Sequence, residues 1–121
     1  MLYNISTSSF AICLLVPQCK TRLDVGFLVD ASGSLRREYH KEKAFIKELV
    51  DSFGVGLSST RVGVVTFSHI ADLSIKLSQF DSKEDLKKAI DALPMIGATT
   101  RIDRALKVVV NQLFTNANGA R

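Results

Sequence analysis

Val25-Gly26-Phe27-Leu28-Val29 runs without a break into Asp30-Ala31-Ser32-Gly33-Ser34. An apolar run of this kind, extending from Leu23 to Asp30, reads as a strand buried on both faces of a parallel sheet. Its end sets one carboxylate and two hydroxyls at alternate positions on a tight turn. Asp30, Ser32 and Ser34 therefore form a candidate site for a hard cation such as magnesium, manganese or calcium, which prefer oxygen ligands. The plainer reading of the same residues is a loop in which Ser34 caps the next helix.

Working outward, the spacing of Phe45, Ile46, Leu49, Val50 and Phe53 predicts a helix from about Leu35 to Phe53, stopped by Gly54 and Gly56. Arg61 to Phe67 predicts a second strand, carrying Val62, Val64 and Val65. Leu73, Ile75 and Leu77 then alternate with Ser74, Lys76 and Ser78, so a third strand with one wet face is expected as a hairpin partner at the sheet edge. Ser82 with Asp85 three residues on opens a further helix with Leu86, Ala89, Ile90 and Leu93, which ends at Pro94. A last helix follows Gly97-Ala98-Thr99-Thr100, with Ile102, Ala105, Leu106, Val109 and Leu113 as its buried face, and Asn116 to Arg121 reads as a turn-rich tail. The order β-α-β-β-α-α argues for an open α/β sheet, in which ligands bind outside the carboxyl ends of the strands. Asp30 lies at such an end.

Composition narrows the function. The 121 residues make one domain at most, 46% of them hydrophobic. The formal charge is +4, but each basic cluster stands beside acids and only 7% of residues are aromatic, so a solvated surface is expected rather than a nucleic-acid interface. Phe10 to Val16 is an apolar run ending at Pro17, too short to span a bilayer as a helix. Residues 1–18 are thus read as a signal peptide or a disordered leader, with no transmembrane segment, and 19–121 as the domain. Cys13 falls in the leader; Cys19 is either a thiol awaiting a partner or an inert one. His40 and His69 have no partner at metal-ligand spacing and read as surface or satisfied histidines.

Asp30-Ala31-Ser32-Gly33-Ser34 resembles the Asp-x-Ser-x-Ser motif of the von Willebrand factor type A domain and its metal-ion-dependent adhesion site. Arg61-Val62-Gly63-Val64-Val65-Thr66-Phe67-Ser68 is similar to that family's second strand, and Leu93 to Leu106 to its Gly-Gly-x-Thr-x-Thr-Gly-x-Ala-Leu segment. The likeness covers about Cys19 to Phe114. It implies a doubly wound, Rossmann-like α/β fold, here truncated after about three strands and three helices, since the family's fourth strand and the aspartate at its end would follow Arg121. The first strand is then expected at an exposed edge of a three-stranded sheet. The resemblance adds Thr100 to Asp30, Ser32 and Ser34 as a metal ligand, because it stands five residues before Ala105-Leu106, with Thr99 as the fallback. Ala98 departs from the motif's second glycine, and Asp103, where glycine is usual, either adds charge to the site or caps the helix in a Thr100-x-x-Asp103 box.

The resemblance implies a secreted adhesion or matrix module that binds a protein, extracellular matrix or collagen-like, through Mg2+ or Mn2+, with an acidic residue of the partner completing the coordination. The alternatives are an intracellular scaffold of the same family and a non-functional fragment. An enzyme is not expected. A phosphoryl-accepting Asp30 would want an acid where Ser32 stands, and neither a Gly-x-Ser-x-Gly elbow nor a phosphate-binding Gly-x-x-x-x-Gly-Lys loop is present.

Overall fold

A computed structural model describes residues 2–4, 22–33, 36–97 and 101–121. Cys13, Cys19, Ser34, Thr99 and Thr100 lie outside them, as do most of residues 1–18, where a leader was expected. The apolar run becomes β2 (Asp24–Asp30), which pairs in parallel with β3 (Arg61–Phe67) in the register Val25 with Val62 through Asp30 with Phe67. Between them runs α1 (Arg36–Asp51). After β3 the chain folds back as β4 (Ala71–Ile75), then gives α2 (Lys83–Asp91) and α3 (Ile102–Val108), which continues into a π-helical turn, Val109–Leu113.

Helices cover both faces of the sheet, which is why the middle residues of β2 (Val25 to Val29) and of β3 (Val62 to Val65) are apolar on both sides. Val25, Phe27, Val29, Val62 and Val64 pack on one face with Tyr39, Ile46 and Val50 of α1, Phe53 just after it, and Leu86 and Ile90 of α2. Leu28, Val65 and Phe67 pack on the other with Ala105, Val108, Val109 and Leu113. On that second face the paired Gly26 and Gly63 leave room for Leu113 to lie directly on the strands.

Three expectations change. Phe45 is not core: it is 59% exposed, because it falls about 100° around α1 from Ile46 and outside the arc of Tyr39, Lys43, Ile46, Val50 and Phe53. Ile102, in the first turn of α3, is likewise 40% exposed. The third strand does not keep one wet face. Val64 pairs with Ile75 and Val65 with Leu73, so Ser74 is the extra residue of a bulge that sends Ile75 and Leu73 to opposite faces. Ser74 Oγ is 2.7 Å from Thr66 Oγ1.

The outer edge of β2 is also less bare than expected. Leu2–Asn4 forms β1, antiparallel to β2 with Leu2 opposite Phe27 and Asn4 opposite Val25, making a four-stranded sheet in the order β1-β2-β3-β4. The physical reason is that an edge strand presents unpaired N–H and C=O groups that another strand can satisfy. The capping signal at Ser82 holds, since its Oγ accepts from the Asp85 N–H at 3.2 Å.

Two polar side chains sit in the buried arc of α1. Tyr39 Oη donates to the carbonyls of Leu93 at 3.1 Å and Pro94 at 2.8 Å. Lys43 Nζ donates to Asp91 O at 3.0 Å and Leu93 O at 2.6 Å, and lies 4.5 Å from the centre of the Tyr39 ring. Burial lowers the Lys43 pKa, and burial with the nearby Glu42 charge pushes the Tyr39 phenol up to about 12. The folded chain holds the phenol proton more tightly than the unfolded chain. Its stabilising effect is therefore complete below pH 10 and is lost as pH rises towards about 12. Phenolate absorbance should show one tyrosine titrating near pH 12 in the folded protein and near pH 10 after denaturation; a single transition near 10 in both states would contradict the buried hydroxyl.

Candidate metal centre

The site forms where three chain segments meet beyond the carboxyl ends of β2 and β3. At the end of β2 the Asp30 Oδ1 accepts from the Ser32 N–H at 2.9 Å, an Asx-type turn that bends the chain away from the sheet. The Ala31 N–H donates to Phe67 O at 2.8 Å, carrying the parallel ladder one residue past β2. Ala31 and Ser32 are thereby buried, Asp30 is half-buried and Gly33 is exposed.

The segment after α2 is fastened to this turn by two backbone bonds. The Ile96 N–H donates to Ala31 O at 2.7 Å and the Gly33 N–H to Gly97 O at 2.6 Å. Gly97 adopts φ +75°, and a Cβ there would strike the His69 ring, so glycine is required on two counts. The turn after β3 completes the junction. Ser68 O accepts from the Arg101 N–H at 2.8 Å, and the Arg104 guanidinium donates to His69 O.

Of the four residues expected to hold a cation, Asp30 and Ser32 are described and lie at this junction. Ser34 and Thr100 are not described, although Gly33, Gly97 and Arg101 beside them are tied into it. Asp103 is engaged elsewhere: its carboxylate takes two hydrogen bonds from Arg101, both 2.9 Å, on the exposed first turn of α3. Those bonds lower its pKa to about 2, with the N–H groups of Asp103 and Arg104 adding to the effect. This is the role of a helix-terminus carboxylate. His40 and His69 are exposed, His69 Nδ1 lying 3.3 Å from Ser68 Oγ.

Glu42 was not anticipated. From the second turn of α1 its Oε1 accepts from the Asp30 N–H at 3.4 Å. That N–H points to the outer edge of β2, beyond the stretch that β1 pairs. Burial raises the Glu42 pKa, the Asp30 N–H opposes the shift and the Asp30 charge adds to it. The only signal in the sequence is its place beside the buried arc of α1, three residues after Tyr39.

The donor set, one partly exposed carboxylate with a serine hydroxyl two residues on, fits a hard divalent ion. Among the described residues no three of His, Cys, Asp and Glu gather into a cluster that could hold a metal ion.

The sequence matches the von Willebrand factor type A domain over residues 24–121. It is similar to the human collagen alpha-6(VI) chain, 41% identical over 105 residues, which is 85% of this chain and 5% of that one. Mouse matrilin-3 is 31% identical over 105 residues, 85% of this chain and 22% of the relative. Among solved structures, proximal thread matrix protein 1 from the mussel byssus superposes with a TM-score of 0.81 at 34% identity, over 88% of this chain and 29% of that one. A further structure of that byssus protein, with a zinc-occupied MIDAS motif, gives 0.80 at 33% identity, over 88% of this chain and 29% of that one. The chain thus spans less than a third of each of these relatives. Motif, doubly covered sheet and match together make it a member of the von Willebrand factor type A domain family.

Proposed function

We propose that this chain is an extracellular, non-enzymatic module that binds a matrix protein through Mg2+, or Mn2+ in its place, at Asp30, Ser32, Ser34 and Thr100. Ser32, Ser34 and Thr100 give neutral oxygens, and Asp30 binds directly or through water. A cation held by few charged ligands keeps enough positive charge to take a carboxylate from a partner. The observation that carries the reading is the pair of bonds Gly33 N–H to Gly97 O and Ile96 N–H to Ala31 O, which lock the Asp30 turn against the segment leading to Thr100. Relatives named as collagen, matrilin and thread matrix proteins support a matrix partner, and the zinc-occupied byssus protein supports a divalent ion.

The exposed Ile70 and Ile102, next to Ser68 and Arg101, offer apolar contact beside the site, and Arg104 offers positive charge. A partner segment with an acidic residue among apolar ones suits such a rim. In calorimetric titration Ser32→Ala should weaken Mg2+ binding by about tenfold or more, the scale on which losing one ligand or its support acts. Capture of the chain by immobilised collagen should disappear in excess chelator. Capture at full strength in chelator, or by Ser32→Ala, would refute the reading.

A further inference from the structure

We infer that Tyr39 and Lys43 are positioning residues for the proposed metal centre, holding the stretch Leu93–Gly97 after α2 at a fixed distance from the Asp30 turn. The inference rests on the proposed metal site. Its structural basis is a buried polar cluster one helix removed from the chemistry. Tyr39 is 2% exposed and Lys43 is 7% exposed. Tyr39 packs in one cluster with Ile46, Val50 and Leu86, and burying its phenol and the Lys43 ammonium is costly unless their donors are used; their side-chain hydrogen bonds go to one short stretch of backbone.

That stretch is the end of α2 and the turn after it. Leu93 O receives both donors, Pro94 O receives the phenol and Asp91 O the ammonium. A cation at the carboxyl end of α2 also complements its dipole. Two residues after Pro94, the Ile96 N–H bonds Ala31 O, and Gly97 O accepts from Gly33. The segment is therefore gripped at 91–94 by α1 and at 96–97 by the turn that precedes α1. With Glu42 on the Asp30 N–H, one helix contacts both sides of the candidate centre.

A core that needed only stability could fill this space with apolar side chains, because replacing buried polar groups by well-packed apolar ones is often neutral or better. Directional donors aimed at the carbonyls of Asp91, Leu93 and Pro94 instead fix where the chain goes as it leaves α2. Preorganisation of this kind raises affinity without any new contact to the ion.

The test uses Tyr39→Phe and Lys43→Met in the full chain, with Leu113→Ala on the opposite face as a control that lowers stability without touching the segment. Amide exchange is read without metal at Ile96 and Gly33, against Val64 and Val65 in β3. Both variants should open Ile96 and Gly33 about tenfold more than they open β3, while the control should change all four alike. Mg2+ affinity of the folded protein should fall about tenfold in the two variants and stay unchanged in the control. Wild-type protection at Ile96 and Gly33 relative to β3, or unchanged Mg2+ affinity in both variants, overturns the positioning role. A wild-type chain that binds neither Mg2+ nor Mn2+ refutes the metal site itself, and with it the role in metal binding, while the exchange data still decide whether the clamp holds the segment.

Discussion

Gly63→Ala is expected to cost about 2–3 kcal/mol of unfolding free energy in urea titrations, the range typical of overpacking a filled core. A Cβ at Gly63 would run into Leu113 Cδ1 and come within 3.0 Å of Ile75 O, and one at the paired Gly26 would lie 2.5 Å from Leu113 Cδ2. Leu113 is fully buried and straddles both positions. Removing it, as Leu113→Ala, should cost about 3 kcal/mol by leaving a cavity. The two effects oppose each other in space, so the double variant should lose at least ~1 kcal/mol less than the sum of the singles. Rescue remains partial because the Ile75 carbonyl does not move with Leu113. Strict additivity would mean that Leu113 does not occupy the saddle between the glycines.

Arg121→Ala is expected to cost about 2 kcal/mol, less than the roughly 3–5 kcal/mol of breaking a fully buried ion pair, because the Arg121 side chain keeps some contact with water. Asp24 stands at the start of β2 with its side chain 5% exposed, and the Arg121 side chain is 29% exposed. The guanidinium donates to Asp24 Oδ1 at 3.0 Å through Nε, and through Nη2 to Leu23 O at 2.8 Å and Ser59 O at 2.7 Å. The Arg121 N–H adds a bond to Asp24 Oδ2 at 2.7 Å, which the alanine variant keeps. One side chain thus ties the tail to the start of β2 and to the loop before β3. Arg121→Lys should recover little of the loss, since an ammonium cannot span three acceptors set in different directions. A midpoint within error of wild type for Arg121→Ala would remove the pair from the stabilising interactions.

The elements were legible where one face or both faces of a segment are predominantly apolar. β3 falls at Arg61–Phe67 as expected, and the α2 start is set by the local chemistry of Ser82. The errors came where a residue's neighbours, not its period, decide its fate. Phe45 reads as core by type, yet it stands on the solvent side of an arc that polar Tyr39 and Lys43 share. Leu73 and Ile75 have the same parity, yet the bulge at Ser74 parts them. A tight turn after Asp30 was readable from five consecutive residues, whereas Glu42 reaches Asp30 from twelve positions along the chain.

By itself, the sequence determined the α/β order, the paired apolar strands and the turn that offers oxygen ligands, because each depends on residues close together in the chain. Only the tertiary structure decided what lies against that turn. The bonds from Gly33 to Gly97 and from Ile96 to Ala31, the Glu42 carboxylate on the Asp30 N–H and the Tyr39–Lys43 grip on the α2 end join residues far apart in sequence. Each is a directional bond with no periodic trace, formed only after hydrophobic burial has brought its two segments together. The Asp30–Ser34 motif is therefore a local property of the chain, while the junction beside it belongs to the folded molecule.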